Sequence, residues 1–316
     1  MKIAYERGLH ELGDGLFAYL QPHGGWGWSN AGLVTADGAS LLIDTLFDLR
    51  LTREMLDAMA KVTERNPIGA AVNTHGDPDH CFGNQLLPEG IAHYTTSAAA
   101  AALSGARPEL VAGMFASEDL GAEFSAFSRR SFGAFDFRDI ELRVADKTFD
   151  SSLDVLVGDR LLRLIELGPA HTAGDAIVHV PDADVVFTGD LIFVGATPLI
   201  WQGPVASWLA ACERIRLLGA RILIPGHGPV SDASSIADIE RYLIYIRDEA
   251  RARFDAGMDA EAAADDIDIA DFAGLGDPER IAANVHSIYR EFDPSLPAST
   301  VPEQFVRMAR WASRHA

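Results

Sequence analysis

The sequence predicts a mixed α/β fold in which a strand-rich region is followed by a helical one. Two observations lead to this prediction. Short apolar segments bounded by Gly, Pro, Asn and Asp recur through the first 230 residues, and segments with helical periodicity lie between them. After residue 231 the helical segments continue with few strand signals. We therefore expect an α/β domain over 1–230 and a helical extension over 231–316 that packs on it.

Each expected strand is short and apolar and ends in a turn or a polar loop. The strands span 15–20, 31–34, 40–44, 70–73, several segments between 140 and 180, 185–188 and 221–224. The expected helices have apolar residues at three- and four-residue spacing, or an Ala-rich composition. They span 50–64, 97–120, 205–218, 232–256, 259–267 and 277–291. The stretch 124–138 mixes Phe, Ser, Gly and Arg without a period, and we expect a long loop there.

The composition excludes several classes of partner. The 316 residues contain 26 Lys and Arg against 46 Asp and Glu, a formal net charge of −20. Nucleic acids and anionic membrane surfaces both attract clustered Lys and Arg, so we expect neither as a partner. No apolar run reaches the ~18 residues that a membrane span needs. With two cysteines, Cys81 and Cys212, and no apolar export segment in residues 1–7, a reducing, cytoplasmic setting is expected.

Imidazole and carboxylate side chains accumulate where the predicted strands end. His75, Asp77, Asp79 and His80 lie within six residues, directly after the strand expected at 70–73. Three further side chains of this kind occur later, each beside Gly or Pro: His171 in GPAHTAGD, Asp190 in FTGD and His227 in PGHG. Strand ends fix the backbone while Gly allows close approach, which is the arrangement that a preorganised metal site needs. Histidine and carboxylate ligands suit zinc, manganese or iron.

At these residues the chain resembles the metallo-β-lactamase superfamily. The first motif of that family is Thr-His-x-His-x-Asp-His, and residues 74–80 read THGDPDH. The later ligands of the family are a His, a bridging Asp and a final His, which match His171, Asp190 and His227 in order. The resemblance covers about residues 10–230. It implies a four-layer αββα sandwich with the metal ions at one edge.

The resemblance also implies a ligand set for two divalent ions. By family position, site one would use His75, Asp77 and His171, site two would use Asp79, His80 and His227, and Asp190 would bridge them. Asp77 stands where the family has its second His, and its carboxylate is shorter than imidazole and charged. Zinc is the expected ion, with manganese or iron as alternatives because of Asp77. Three outcomes stay open: site one intact with Asp77 as ligand, site one easily emptied, or a single ion.

The activity expected from this resemblance is metal-assisted hydrolysis of a small-molecule ester, lactone or thioester. A metal-bound hydroxide would attack the carbonyl, with Asp79 and Asp190 as the catalytic carboxylates. The runner-up is a non-hydrolytic metal enzyme of the same fold, either an iron-dependent oxygenase or a biosynthetic lyase or cyclase. A third hypothesis is a non-catalytic binding protein with a broken site.

Four side chains are candidates for substrate contact. Trp26 and Trp28 flank Gly27 in an early loop that could overhang the metal site, although core packing or a subunit contact explains them equally well. Trp201 follows the Asp190 segment as a candidate pocket wall. Arg129 could clamp a substrate carboxylate, against the alternative of a surface counter-charge. The apolar stripe of the C-terminal helices indicates core packing, with a homodimer contact or a pocket wall as alternatives.

Overall fold

The computed structural model describes residues 3–22 and 24–316. Met1 and Lys2, which begin the segment used for the export expectation, and His23 of the early loop lie outside the described residues. The strands are β1 Gly8–Gly13, β2 Leu16–Leu20, β3 Ala31–Ala36, β4 Ala39–Ile43, β5 Ile68–Val72, β6 Ala92–Thr96, β7 Lys147–Phe149, β8 Ser152–Val157, β9 Arg160–Glu166, β10 Ala176–Val180, β11 Val185–Phe193 and β12 Ile222–His227. The helices are α1 Leu49–Thr63, α2 Pro78–Cys81, α3 Ser97–Gly105, α4 Pro108–Phe115, α5 Ala122–Phe132, α6 Val205–Leu217, α7 Ser234–Asp255, α8 Ala260–Asp266, α9 Arg280–Phe292 and α10 Val301–Arg314.

These strands form two mixed sheets. The first has seven strands in the order β1 to β7, antiparallel from β1 to β4 and parallel from β4 to β7. The second has five strands in the order β12-β11-β10-β9-β8, with the parallel pair β11 and β12 at one edge. Parallel pairs need long crossover connections, and in this chain those connections contain α1 to α6.

Three apolar clusters hold the layers together. Between the sheets, Leu16 and Leu41 of the first sheet pack with Leu164 and Val178 of the second. On the outer face of the first sheet, α1 buries one stripe of apolar residues, and on the outer face of the second sheet α6 and α7 do the same. The result is the expected αββα sandwich, in which alternate residues of a strand serve different apolar clusters.

The C-terminal helices share the outer cluster of the second sheet. Leu243 of α7, Ile288 of α9 and Met308 of α10 belong to the same buried cluster as Val186 of β11 and Leu223 of β12. The helical segment therefore packs directly on the α/β body. Within the described chain, no helix is long and apolar enough to cross a membrane.

Three sequence expectations for the helices need correction. The segment 97–120 forms two helices, because Pro108 begins a new helix at its first turn and the residue before a proline disfavours helical geometry. The loop expected at 124–138 is wrong in its first half, where α5 ends at Phe132. Its Phe124, Phe127 and Phe132 are buried, so tertiary packing outweighs the weak local pattern. Helix α10 was not expected at all.

Candidate metal centre

The candidate ligands lie at the ends of strands from both sheets. His75 and Asp77 follow β5, and Asp79 and His80 belong to the short helix α2. His171 lies in the turn between β9 and β10, Asp190 is within β11, and His227 ends β12. Three groups of ligand atoms lie within 4.8 Å of one another: His75, His80 and Asp190; His75, Asp77 and His171; and Asp79, His80 and His227. The structure thus brings together all seven side chains that the sequence singled out.

Asp190 occupies the middle of this cluster. Its Oδ2 atom lies 3.4 Å from His171 Nε2, 3.5 Å from His227 Nε2 and 3.9 Å from His75 Nε2, while Oδ1 lies 3.2 Å from His80 Nε2. The outer carboxylates face one imidazole each at close range: Asp77 Oδ2 is 3.2 Å from His171 Nε2, and Asp79 Oδ2 is 3.2 Å from His227 Nε2. Asp190 thus lies between the His171–Asp77 pair and the His227–Asp79 pair.

The donor atoms fit divalent cations. Within the described part of the chain, His75 Nε2, His80 Nε2 and Asp190 Oδ1 are buried and have no hydrogen-bond partner. Unpartnered buried polar atoms cost about 1–3 kcal/mol each, more when charged, so such a cluster is expensive unless a cation satisfies it. Imidazole nitrogen with carboxylate oxygen is the donor set that zinc, manganese and iron accept. The cluster therefore fits the metal that the fold family implies.

The other ring nitrogens of three histidines are held by neighbouring oxygens. His80 Nδ1 lies 3.0 Å from Asp44 Oδ2, and His75 Nδ1 lies 3.0 Å from Thr74 Oγ1. Thr74 donates its hydroxyl to Asp44 Oδ2 at 2.8 Å, so its oxygen is left to accept from His75. His171 Nδ1 lies 2.6 Å from the Leu199 carbonyl oxygen. A proton held at Nδ1 leaves the Nε2 lone pair free for a metal ion.

Asp44 is a functional residue that the sequence reasoning missed. Its carboxylate also accepts the Thr74 backbone N–H at 2.7 Å, so one buried residue positions both histidines of the first motif. The signal was present, because Asp44 ends an expected strand just as the ligand Asp190 follows one. It was overlooked because it stands about thirty residues before the motif.

The electrostatics of the cluster place protons where cations would bind. Burial disfavours the charged form of His80, but the charges of Asp190 and Asp44 outweigh it and raise the pKa of His80 well above its usual value. Burial also disfavours the charged form of His171, but its hydrogen bond to Asp77 and the charge of Asp190 outweigh burial and raise the pKa of His171 to about 9. Burial and the neighbouring His80 lower the pKa of His75 to about 4. His75 is therefore neutral at neutral pH, whereas metal ions compete with protons at His80 and His171, and metal binding there releases protons.

The cluster carboxylates are held in their charged form. Burial alone would raise their pKa values, but the hydrogen bond from His227 lowers the pKa of Asp79 to about 2. The charges of His227 and His80 hold the pKa of Asp190 well below its usual range. Both side chains are therefore ionised at neutral pH, the form in which a carboxylate binds a cation.

Asp77, the unusual member of the motif, has a second partner. Its Oδ2 atom accepts a hydrogen bond from Trp201 Nε1 at 3.0 Å as well as facing His171. Trp201 in turn packs edge-on against Phe305 with ring centroids 5.7 Å apart. The indole thus fixes the orientation of the carboxylate that replaces the family histidine.

Gly226 allows β12 to approach the central carboxylate. A Cβ atom at this position would collide with Asp190 Oδ1 and with the backbone of Gly189. The neighbouring His227 is stacked on Phe193, with an angle of 8° between the ring planes. The PGHG segment therefore combines close backbone approach with a fixed imidazole.

The cluster opens into a cavity of about 630 Å³. Its floor contains Asp77, Asp79, His171, Asp190 and His227. Its walls are largely apolar and come from α3, α4 and α10 and the segment after β11; they include Leu110, Val111, Met114, Phe115, Phe193, Leu199, Val301 and Phe305. A largely apolar pocket with a few convergent polar groups is the usual form of a small-molecule site.

Two of the four expected substrate contacts reach this cavity. Trp26 and Trp201 line it. Trp28 instead packs on Phe135, with ring centroids 4.8 Å apart, beside the apolar cluster under α1. Arg129 is exposed in the last turn of α5 and is not among the described residues that line the cavity. The sequence could not show which of the two indoles reaches the cavity, because the loop over 24–30 directs Trp26 toward the cavity and Trp28 away from it.

The comparisons with known proteins agree with this fold. The family model of the metallo-beta-lactamase superfamily matches residues 24–227. Among curated proteins, the chain is 28% identical to the human acyl-coenzyme A thioesterase MBLAC2 over 233 residues, which are 68% of this chain and 79% of that protein. The Bos taurus protein of the same name is 25% identical over 232 residues, with the same two coverages.

Solved structures show the same architecture. The stereoselective inverting sec-alkylsulfatase Pisa1 from Pseudomonas sp. superposes with a TM-score of 0.69 at 16% identity, covering 92% of this chain and 51% of that one. This chain therefore spans about half the length of the alkylsulfatase. The metallo-beta-lactamase FIM-1 from Pseudomonas aeruginosa, in its mono-zinc form, superposes with a TM-score of 0.56 at 21% identity, covering 76% of this chain and 97% of that one.

Proposed function

The chain belongs to the metallo-β-lactamase superfamily, and from that membership we propose that it is a metal-dependent hydrolase of a small-molecule ester, lactone or thioester. The observation that carries the proposal is the position of the ligand cluster at the floor of a largely apolar cavity. A carbonyl group held at that floor would face the cluster while the remainder of the substrate lies against the walls. The thioesterase relatives support this class of reaction.

We assign two divalent ions to the cluster. His75, Asp77 and His171 would hold the first, Asp79, His80 and His227 would hold the second, and Asp190 would bridge them. Zinc is the proposed ion, and manganese or iron are alternatives because Asp77 adds a third carboxylate to the donor set. When bound, such ions make water more acidic and polarise a carbonyl oxygen.

The residues of this chain have separate roles in that reaction. Asp79 is partly exposed to the cavity, so its carboxylate can orient the attacking water and accept its proton. Asp190 is buried and serves to hold the donor set together. Phe193, Leu199 and Trp201 exclude bulk water from the floor. The leaving group departs through the open side of the cavity and is protonated by solvent.

The test is hydrolysis by protein purified without chelator and loaded with zinc or manganese. We expect turnover of p-nitrophenyl butanoate or of a butanoyl thioester. An Asp79→Asn variant should lower kcat by about 10²- to 10⁴-fold, and its metal content is measured alongside because Asp79 is also a proposed ligand. Asp57→Asn is the matched control, because Asp57 is exposed on α1, and its kcat should be unchanged.

Two results would contradict the proposed function. Metal-loaded protein that hydrolyses no ester, lactone or thioester would overturn it. Bound iron together with substrate-dependent oxygen consumption would instead favour the non-hydrolytic alternative.

A further inference from the structure

We propose that the cavity binds an uncharged, extended apolar acyl group whose chain runs from the ligand cluster outward between α4 and α10. The inference rests on the proposed function and names the substrate class of the same site. It is argued from three features of the cavity: its walls, its mouth and its charged groups.

The walls are aromatic and tightly packed. Phe305 of α10 lies at their centre, with ring centroids 5.3 Å from Trp26, 5.5 Å from Phe115 and 5.7 Å from Trp201. Phe115 of α4 also stacks on Phe132 of α5, with centroids 3.8 Å apart. Phe115, Phe132 and Phe305 come from three separate helices, and Trp26 and Trp201 come from loops. The rings brace one another, so the cavity is a preformed apolar slot rather than a gap between mobile side chains.

The mouth is apolar as well, which is unusual for a surface position. Leu110 on α4 is 57% exposed and Val301 at the start of α10 is 53% exposed, and both line the cavity. The other exposed large apolar side chains in the described part of the chain are Leu156, Leu217 and Ile244, which are 67%, 76% and 42% exposed. None of these three lines the cavity. Because the apolar rim continues the apolar slot, an acyl chain would contact apolar side chains along its whole length. The far end of the acyl chain could then reach solvent.

The charged groups argue against an acidic tail on the acyl chain. Apart from histidines, the basic residues among the described lining are Arg107 and Arg280. Arg280 is buried, donates to the Thr197 carbonyl oxygen at 2.7 Å and pairs with Asp277 at 3.0 Å. Arg107 is paired with Glu109 at 2.9 Å. Arg280 is therefore committed to buried partners, whereas Arg107 is 58% exposed and forms only a surface ion pair. Neither places a free cation inside the slot, so the slot favours a neutral chain over one with a second carboxylate.

The first experiment measures hydrolysis of p-nitrophenyl butanoate, octanoate and dodecanoate by the metal-loaded protein. Each methylene that enters an apolar site contributes about 0.8 kcal/mol, so KM should fall by about two- to four-fold per methylene until the slot is filled. Beyond that length KM should level off rather than rise, because the mouth is open. Isothermal titration with the free dodecanoate anion, the acyl product of the longest ester, measures binding independently of turnover.

Two variants place a charge on the apolar rim. Leu110→Glu and Val301→Glu should each raise KM for dodecanoate about ten-fold more than KM for butanoate, and should weaken dodecanoate binding in the titration. Leu217→Glu is the matched control, because Leu217 is 76% exposed on α6 and away from the cavity. Leu217→Glu should leave KM for both esters, and the dodecanoate affinity from the titration, unchanged.

The outcomes separate this inference from the proposed function. Hydrolysis of all three esters with equal KM, or an equal effect of Leu217→Glu, would overturn the acyl slot while the hydrolase assignment stands. Dodecanoate binding that the rim variants weaken, without hydrolysis of any ester, would support the slot and overturn the hydrolase.

Discussion

Asp44 is the residue that links the two histidines of the first motif. Its carboxylate lies beside His80 Nδ1 and, through Thr74, beside His75. Replacing Asp44 by Asn leaves the volume almost unchanged but removes the charge that favours a proton on Nδ1. Losing such a supporting group typically lowers metal affinity by about 10- to 100-fold, and we expect that range for Asp44→Asn. Competition with a chromogenic chelator measures it.

A nearby aspartate provides the control for this variant. Asp48 is equally buried, but it caps α1 by accepting the Leu51 N–H at 2.7 Å and touches no ligand histidine. Asp48→Asn should change the free energy of unfolding by up to about 1 kcal/mol and leave metal affinity unaltered. If both variants lower metal affinity equally, Asp44 acts through general stability rather than through the histidines.

A second prediction at this scale concerns Trp201, which orients the unusual ligand candidate Asp77. Trp201→Phe keeps an aromatic wall but removes the 3.0 Å hydrogen bond to Asp77 Oδ2. We expect the affinity for one of the two ions to fall by about 10-fold or more, while the other ion is retained. Metal analysis after stepwise dialysis against a chelator measures this split.

Trp26→Phe is the comparison for that variant. Trp26 also lines the cavity, but its indole donates to Glu279 at 2.7 Å and not to a ligand candidate. Trp26→Phe should therefore retain both ions. Equal retention of both ions by Trp201→Phe would show that the indole does not support Asp77.

At the residue scale, the sequence predicted which side chains meet because motif spacing and strand ends are local features. Residues 74–80, His171, Asp190 and His227 all come together as expected. What the sequence could not predict were contacts set by distant packing. Trp28 and Arg129 turn away from the cavity, while Arg280, which lies beyond the family-like region, reaches it. Their positions depend on how α5 and α9 dock, and no local pattern specifies that.

Among the elements, α10 forms the outer wall of the cavity and has a clear local origin. Thr300 and Glu303 form a capping box at its start, and Pro302 lies in its first turn. Phe305, Met308 and Trp311 then make a buried stripe at three-residue spacing. These signals are local, so the sequence alone is sufficient to predict α10. Helix α5 differs, because its weak pattern is stabilised mainly by burial of three Phe side chains.

The packing of α10 gives a prediction about stability. Phe305 is buried and its ring neighbours five others: Trp26, Phe115, Phe127, Phe132 and Trp201. Phe305→Ala should lower the free energy of unfolding by about 3–5 kcal/mol, as for other buried Phe truncations. Urea denaturation of the metal-loaded protein measures it. Arg310→Ala on the exposed face of the same helix should change the value by less than about 0.5 kcal/mol, and a similar loss in both variants would contradict the packing described.

For the whole molecule, the acidic residues behind the net charge of −20 fall into two groups. Most acidic side chains are on the surface, but Asp77, Asp79 and Asp190 converge on one site and repel one another there. Bound cations would relieve that repulsion in the folded chain, whereas the unfolded chain does not assemble the site. Metal binding and folding are therefore thermodynamically linked.

Metal removal tests this linkage. We expect a chelator to lower the free energy of unfolding by about 3–4 kcal/mol, the amount that corresponds to metal at 100 to 1,000 times its dissociation constant. Thermal unfolding before chelation, after it and after zinc or manganese is restored measures the change. A His75→Ala, His80→Ala double variant should show little response to the chelator. An unchanged unfolding temperature in the wild-type protein would contradict the linkage.

The central claim is that seven side chains hold two divalent ions at the floor of the cavity. Anomalous diffraction at the zinc, iron and manganese edges, on crystals of protein purified without chelator, tests it most directly. The account predicts two peaks about 3.5–4 Å apart. One should lie beside His75, Asp77 and His171, the other beside Asp79, His80 and His227, with Asp190 between them. A single peak with Asp77 turned away from it, or no peak at these residues, would contradict the claim.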